Sequence, residues 1–222
     1  MESVLDQLAD AIDRIKPSSR VLVAIDGPDA AGKTTFADSL GARLSRPVVR
    51  ASVDGWHQPR AIRVRQGTES PIGFYEDSFD YGALTSLLLE PFRSGLDDVQ
   101  VEGFDYRRDQ PLRTACNVSA DSAALVLDGV FLLRPELRRW WDVSVYLHVP
   151  PDLTVSRAEV RDAQAMGGVE AVKRRYAERY LPGQAIYRER VDPLAAADIV
   201  LDNSGPEPRI LRWSAAPFSR QS

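Results

Sequence analysis

The sequence predicts a doubly wound α/β domain built on a mainly parallel sheet. Three observations carry this. Apolar runs at Val21–Ile25 and Ala123–Leu127 are uninterrupted, as strands covered on both faces require. Each run ends against glycine or acid, the sites being Asp26-Gly27 and Asp128-Gly129. Segments of helical period separate these and further strands, the alternation that winds a parallel sheet.

In chain order, residues 3–16 place Val4, Leu5, Leu8, Ile12 and Ile15 at helical spacing before Pro17, a helix laid on the main domain. The first strand, 21–25, feeds Gly27-Pro28-Asp29-Ala30-Ala31-Gly32-Lys33-Thr34, followed by Thr35. This fits G-x-x-x-x-G-K-[ST], the phosphate-cradling P-loop. Gly27 and Gly32 permit the tight turn that aims backbone N–H groups at phosphate oxygens. A helix from Lys33 to Leu44 adds its positive end. Lys33 carries charge for the β and γ phosphates, and Thr34 a hydroxyl for Mg²⁺. The chain is therefore expected to bind a nucleoside triphosphate with Mg²⁺ across 27–35, in a P-loop NTPase three-layer fold.

Val48–Val53 is the second strand and runs into Asp54-Gly-Trp-His57. A carboxylate at a strand's C-terminal end lies where open α/β sheets place ligand chemistry. His57 either touches substrate or serves as a hydrogen-bonded structural residue. Residues 58–80 show neither period and read as a long, ordered excursion. Residues 81–93 look helical, with Pro91 ending or kinking the helix early. Residues 99–104 form a short strand, 109–120 are irregular, and 123–127 is the third buried strand. Its terminal Asp128 suits a metal-holding acid. Residues 135–140 begin a short helix and 143–149 form a fourth strand. A helix over 152–165 puts Arg157 and Arg161 on one face, turned either to phosphates or, beside Glu159 and Asp162, to solvent. After Gly167-Gly168 a further helix carries Arg174, Arg175 and Arg179 up to Pro182. The last strand is 197–201. Residues 1–205 read as one domain with a helical lid at about 152–190, and 206–222 as a surface tail.

Composition narrows the function. The 222 residues are 44% hydrophobic and 27% charged with net charge −4, which suggests neither a general nucleic-acid surface nor a membrane surface. A single cysteine, Cys116, excludes an intramolecular disulfide and a thiolate cluster, so a reducing, cytoplasmic setting is expected. There is no signal-peptide pattern and no apolar run of membrane-spanning length. A homo-oligomer is left open. An N-K-x-D pattern is absent, and no glutamine-bearing switch follows Asp128. What remains is a kinase acting on a hydroxyl of a small molecule. Asp54 would orient or deprotonate the acceptor, and Lys33, Arg157 and Arg161 would neutralise charge. The alternative class is a non-catalytic nucleotide sensor, against which the intact Lys33, Thr34, Asp128 and Asp54 weigh.

With these residues in place the chain resembles the uridine kinase and phosphoribulokinase-type branch of P-loop kinases over residues 20–203. The resemblance rests on Ile25–Thr35, Ser52-Val-Asp54, Asp77-Ser-Phe-Asp80, Phe104-Asp105-Tyr106, Leu127-Asp-Gly-Val130 and Ser156–Asp162. It implies that Asp54 is the base for a sugar 5′-hydroxyl and that Arg157 and Arg161 contact ATP phosphates. Phe104, Asp105 and Tyr106 would line the acceptor pocket, with uridine or cytidine as acceptor. Three departures stand out. Gly73-Phe-Tyr-Glu-Asp77 lacks the ribose-gripping acid in its usual place, the histidine after the aromatic stretch is replaced by Arg107-Arg108-Asp109, and Asp128 stands where uridine kinases usually carry Glu. A sugar, sugar phosphate or pantothenate-like acceptor is the alternative, held by Arg60, Arg63, Arg65 or Arg107.

Overall fold

The computed structural model describes residues 3–214. Helix α1 (Val4–Arg14) opens with a capping box in which the Ser3 and Asp6 side chains satisfy each other's backbone N–H groups. Strand β1 (Val21–Asp26), helix α2 (Lys33–Gly41) and strand β2 (Val48–Ser52) follow, then a 3₁₀ turn (Val53–Trp56) and the short helices α3 (Arg60–Arg63) and α4 (Pro71–Asp77). Helices α5 (Tyr81–Leu84) and α6 (Glu90–Arg93) are joined by a π-helical turn. Strands β3 (Asp98–Asp105), β4 (Gln110–Asn117) and β5 (Ala124–Gly129) come next, then α7 (Pro135–Arg138) and β6 (Val143–His148). Helices α8 (Pro151–Met166), α9 (Val169–Arg175), α10 (Leu181–Val191) and α11 (Pro193–Ala196) precede β7 (Ile199–Asp202) and β8 (Arg209–Trp213).

The main sheet has the order β2-β5-β1-β6-β7-β8, parallel except for β8, which returns antiparallel at the edge. Every residue of β1 and β5 is buried. The pleat of β1 deals its side chains alternately to two cores. Leu22 and Ala24 join the aromatic core with Phe74, Phe92 and Phe131, while Val21, Val23 and Ile25 join the core under α1 and α2. The expected doubly wound, three-layer α/β fold is the one observed. In register, Ile25 and Ser52 both lie level with Asp128, so three strands end together and their following turns open onto one edge.

Four local expectations are corrected. Pro91 does not end its helix, because in the preceding π turn (Thr85–Leu89) the Glu90 N–H reaches Thr85 O five residues back. That widened turn makes room for a ring that would otherwise strike the carbonyl four residues earlier. The same device recurs at Pro182. A second π turn (Tyr176–Tyr180) ends with Leu181 N–H bonded to Tyr176 O, and the helix continues to Val191. The irregular reading of 109–120 gives way to β4, paired antiparallel with β3 in a hairpin apart from the main sheet. Within the tail reading of 206–222, Arg209–Trp213 pairs with β7, and 215–222 lie outside the described residues.

Candidate active site at the phosphate loop

The chain leaves β1 through Gly27, where a Cβ would sit 2.7 Å from the Leu147 carbonyl oxygen. Only glycine allows this approach. Ala30 and Gly32 take left-handed backbone (φ 57° and 82°), folding 27–32 into a cradle. Gly32 is the N-cap of α2 and no side chain caps that helix, so its first N–H donors remain available to an anion. Lys33 Nζ rests 2.7 Å from Pro28 O, curled over the loop.

A cleft of about 550 Å³ opens over this loop. It is lined by residues 29–35, by Ser52 at the end of β2 and Asp54 just past it, by Tyr106 and Arg107 of the hairpin, by Asp128–Val130, and by Arg157 and Arg161 of α8. The metal pair predicted from sequence converges, with Thr34 Oγ1 donating to Asp128 Oδ2 at 2.8 Å. Hydroxyl and carboxylate are hard oxygen donors. Mg²⁺ is an ion that takes one or two such protein oxygens and fills its shell with phosphate and water. Sequence reasoning missed Arg50, whose guanidinium donates to Asp128 Oδ1 at 2.8 Å and pairs with Asp38 at 2.9 Å. Its position two residues before Ser52 in β2 was the available signal.

Asp54 sits in the 3₁₀ turn with its backbone N–H on Ser52 Oγ at 3.4 Å. Its carboxylate has no hydrogen-bond partner among the described residues and opens into the cleft. Just behind, His57 is fixed by its Nδ1–H on Asp54 O at 2.8 Å, and its ring packs against Phe79 and Tyr106 at centroid distances of 4.6 and 4.7 Å. Burial pulls the His57 imidazolium below its ordinary pKa. Of the acceptor residues inferred by resemblance, Tyr106 lines the cleft while Phe104 and Asp105 do not, and His57, singled out by its place after Asp54, does not line it either. Asp105 Oδ1 accepts from the N–H groups of Arg107 (2.9 Å) and Arg108 (3.1 Å) and so shapes the hairpin turn.

Both arginines of α8 reach the cleft, each held by protein. Arg157 Nη2 donates to the carbonyls of Asn203 (2.9 Å) and Ser204 (3.1 Å). Arg161 grips Asp162 through two nitrogens at 2.7 and 2.8 Å. Beyond the loop a second groove of about 310 Å³ runs between Phe36, Arg157, Asn203 and Pro206. Asn203 also donates from Nδ2 to Ala31 O at 2.7 Å, tying the turn after β7 to the loop. Of the loop arginines, Arg63 is taken up by Gln58 O (2.7 Å) and Asp109, and Arg65 by Asp77. Arg60 does not line the cleft, and Arg107 does. In the stretch lacking its acid, Glu76 pairs with Arg190, and buried Asp77 with Arg65 and Gln66.

Beneath the loop lies a polar contact that sequence did not signal. Asp26 is fully buried, and its carboxylate accepts from Gly27 N–H (2.7 Å), from Tyr187 O–H of α10 and from Leu133 N–H (3.3 Å). Burial pushes this carboxyl up to about 6, against the three hydrogen bonds that favour its charge. The Tyr187 hydroxyl is itself pushed far above its ordinary value by burial and by Asp26.

No protein-family model matches the chain, and no curated protein matches its sequence. Solved structures do. One described as a possible uridine kinase from Bacillus stearothermophilus is 26% identical, with a TM-score of 0.70 over 88% of this chain and 96% of its own. One provisionally described as a fructose transport system kinase from Silicibacter sp. TM1040 is 24% identical, with a TM-score of 0.70 over 84% and 94%. D-glycerate 3-kinase from Cryptococcus neoformans shares the fold at 12% identity, with a TM-score of 0.62 over 93% and 99%. In fold and local sequence the chain is thus similar to the branch of P-loop kinases related to uridine kinase and phosphoribulokinase.

Proposed function

We propose that the chain is an ATP-dependent kinase that phosphorylates a hydroxyl of a small metabolite. The observation that carries this is the unpartnered Asp54 carboxylate, which opens into the same cleft as Lys33, the uncapped start of α2 and the Thr34–Asp128 pair. The triphosphate lies in the cradle, and the groove beside Phe36 and Asn203 takes its base. Asp54 accepts the acceptor's hydroxyl proton. The freed oxygen pair forms the bond to the γ-phosphorus as the bond to the β–γ bridging oxygen breaks, and ADP leaves with that electron pair. Lys33 and the α2 N–H groups hold the phosphate charge, and Arg161 and Arg157 border it from the 152–190 segment, which serves as a lid. Thr34 and Asp128 would hold Mg²⁺, which would supply further charge neutralisation on the phosphates.

Uridine or cytidine is the first acceptor to test, supported by the motif order and by the similarity to the possible uridine kinase. Arg107 in the cleft wall favours the second reading, a sugar phosphate or other anionic acceptor. ADP release with nucleosides, sugars and acidic acceptors decides between them, and a blank-level signal throughout would leave the nucleotide-sensor reading in its place. Asp54→Asn should lower kcat by roughly 10²–10⁴-fold with ATP affinity retained. Undiminished turnover would remove Asp54 from its role.

A further inference from the structure

Gly27–Thr35 contains two charged side chains, Lys33 and Asp29. Lysine suits a phosphate cradle. A carboxylate does not, because it repels the triphosphate the loop is shaped to hold. Asp29 is nonetheless built in. Its Oδ2 accepts from Gln184 Nε2 at 2.8 Å, and Gln184, on α10, is only 4% exposed. No ion pair joins Asp29 to Lys33, whose ammonium is on Pro28 O. The second Asp29 oxygen has no hydrogen-bond partner among the described residues, and the side chain borders the same cleft as Asp54. Burial and the nearby Asp54 charge both push the Asp29 carboxyl up, while Lys33, Gln184 and Arg161 hold it down.

A carboxylate with one oxygen fixed and one oxygen open is an acceptor in need of a donor. The donor that the kinase reading brings to this end of the cleft is the acceptor molecule. We propose that Asp29, oriented by Gln184, receives a second hydroxyl of the acceptor beside the one presented to Asp54, so that the two carboxylates select a neutral, polyhydroxylated acceptor and exclude acidic or phosphorylated ones. The selection rests on charge: Lys33, Arg157 and Arg161 face the triphosphate's own charge, so an anionic acceptor would meet the Asp29 and Asp54 carboxylates with Arg107 as the one remaining cation named in the cleft wall to offset them. Gln184 acts through Asp29 and is a positioning residue. The proposal rests on the kinase reading and sharpens its substrate class.

The test compares wild type, Asp29→Asn and Gln184→Leu on uridine, 2′-deoxyuridine, 3′-deoxyuridine, D-ribose, D-fructose, D-glycerate and ribose 5-phosphate. Calorimetry with a non-hydrolysable ATP analogue runs alongside. Wild type is expected to favour a neutral polyol. Asp29→Asn is expected to lose about tenfold to a hundredfold in kcat/KM on it, the scale of a hydrogen bond to a charged group. The deoxy analogue lacking the hydroxyl that Asp29 receives should show the same loss in wild type and little further loss in Asp29→Asn. Affinity for the ATP analogue should hold or tighten. Gln184→Leu should raise the acceptor KM more than it lowers kcat, and it decides the matter if Asp29→Asn does not fold. Three results overturn the inference with the kinase reading intact: unchanged kcat/KM in both variants, a tenfold loss of analogue affinity in Asp29→Asn, or a wild-type preference for glycerate or ribose 5-phosphate. Absence of wild-type turnover on every compound overturns the kinase reading, and the inference falls with it.

Discussion

Replacing Asp26 by Asn should change how stability depends on pH. Asp26 is fully buried, and its carboxyl titrates at about 6 in the folded chain against an ordinary 3.8. A folded-state value raised above the unfolded one means that the native protein holds the proton more tightly. Stability from this group is therefore full below about pH 3.8 and is lost as pH rises through about 6. A shift of about two units corresponds to about 3 kcal/mol between the two limits. Integrated over the window, about 2 kcal/mol of it falls between roughly pH 4.5 and 7.5. Asparagine has nearly the same shape and does not titrate. The perturbation is thus the difference in unfolding free energy between wild type and Asp26→Asn, measured by denaturant titration at several pH values, so that other titrating groups cancel. Wild type should lose about 2 kcal/mol relative to the variant on going from the acidic to the neutral end. A difference that stays flat across the range would refute the claim that burial dominates over the Tyr187, Gly27 and Leu133 hydrogen bonds.

Two structural predictions accompany it. Gly27→Ala would drive a Cβ against the Leu147 carbonyl at 2.7 Å and should cost about 1–3 kcal/mol along with affinity for an ATP analogue. An unshifted melting temperature with normal binding would show that the loop has room. Arg20, 6% exposed, donates to the carbonyls of Leu96 (2.6 Å), Val118 (2.8 Å), Phe92 (3.3 Å) and Ala120 (3.4 Å). Arg20→Met leaves those acceptors orphaned and should destabilise by about 3 kcal/mol or more in urea unfolding, whereas a loss under about 1 kcal/mol would mean that water replaces the guanidinium.

What was legible in the sequence was local. An unbroken apolar run codes for a strand buried on both faces, and glycines five apart before Lys33-Thr34 code for the phosphate cradle, because each depends only on residues a few positions apart. Asp54 and Asp128 could be placed for the same reason, as acids at strand ends, and register then sets them at one edge. Strands β4 and β8 escaped notice because both are largely exposed and lack a buried face to impose alternation. Their backbones form ladders only because β3 and β7 lie beside them. Pro91 and Pro182 read as stops since the spelling of a proline does not disclose the π turn that accommodates it.

The sequence by itself determined the kind of molecule this is, a phosphate loop on a parallel sheet with an acid at each flanking strand end. The tertiary structure decided what that loop is connected to. Asp26 meets Tyr187 across 161 positions and Asp29 meets Gln184 across 155, both through α10. Arg157 is committed to the turn at 203–204, more than forty positions away. These pairings depend on which helix packs over which strand end, and that is settled by burial of the two cores together. No short stretch of residues can encode such a choice, since the partners become neighbours only after the chain has folded.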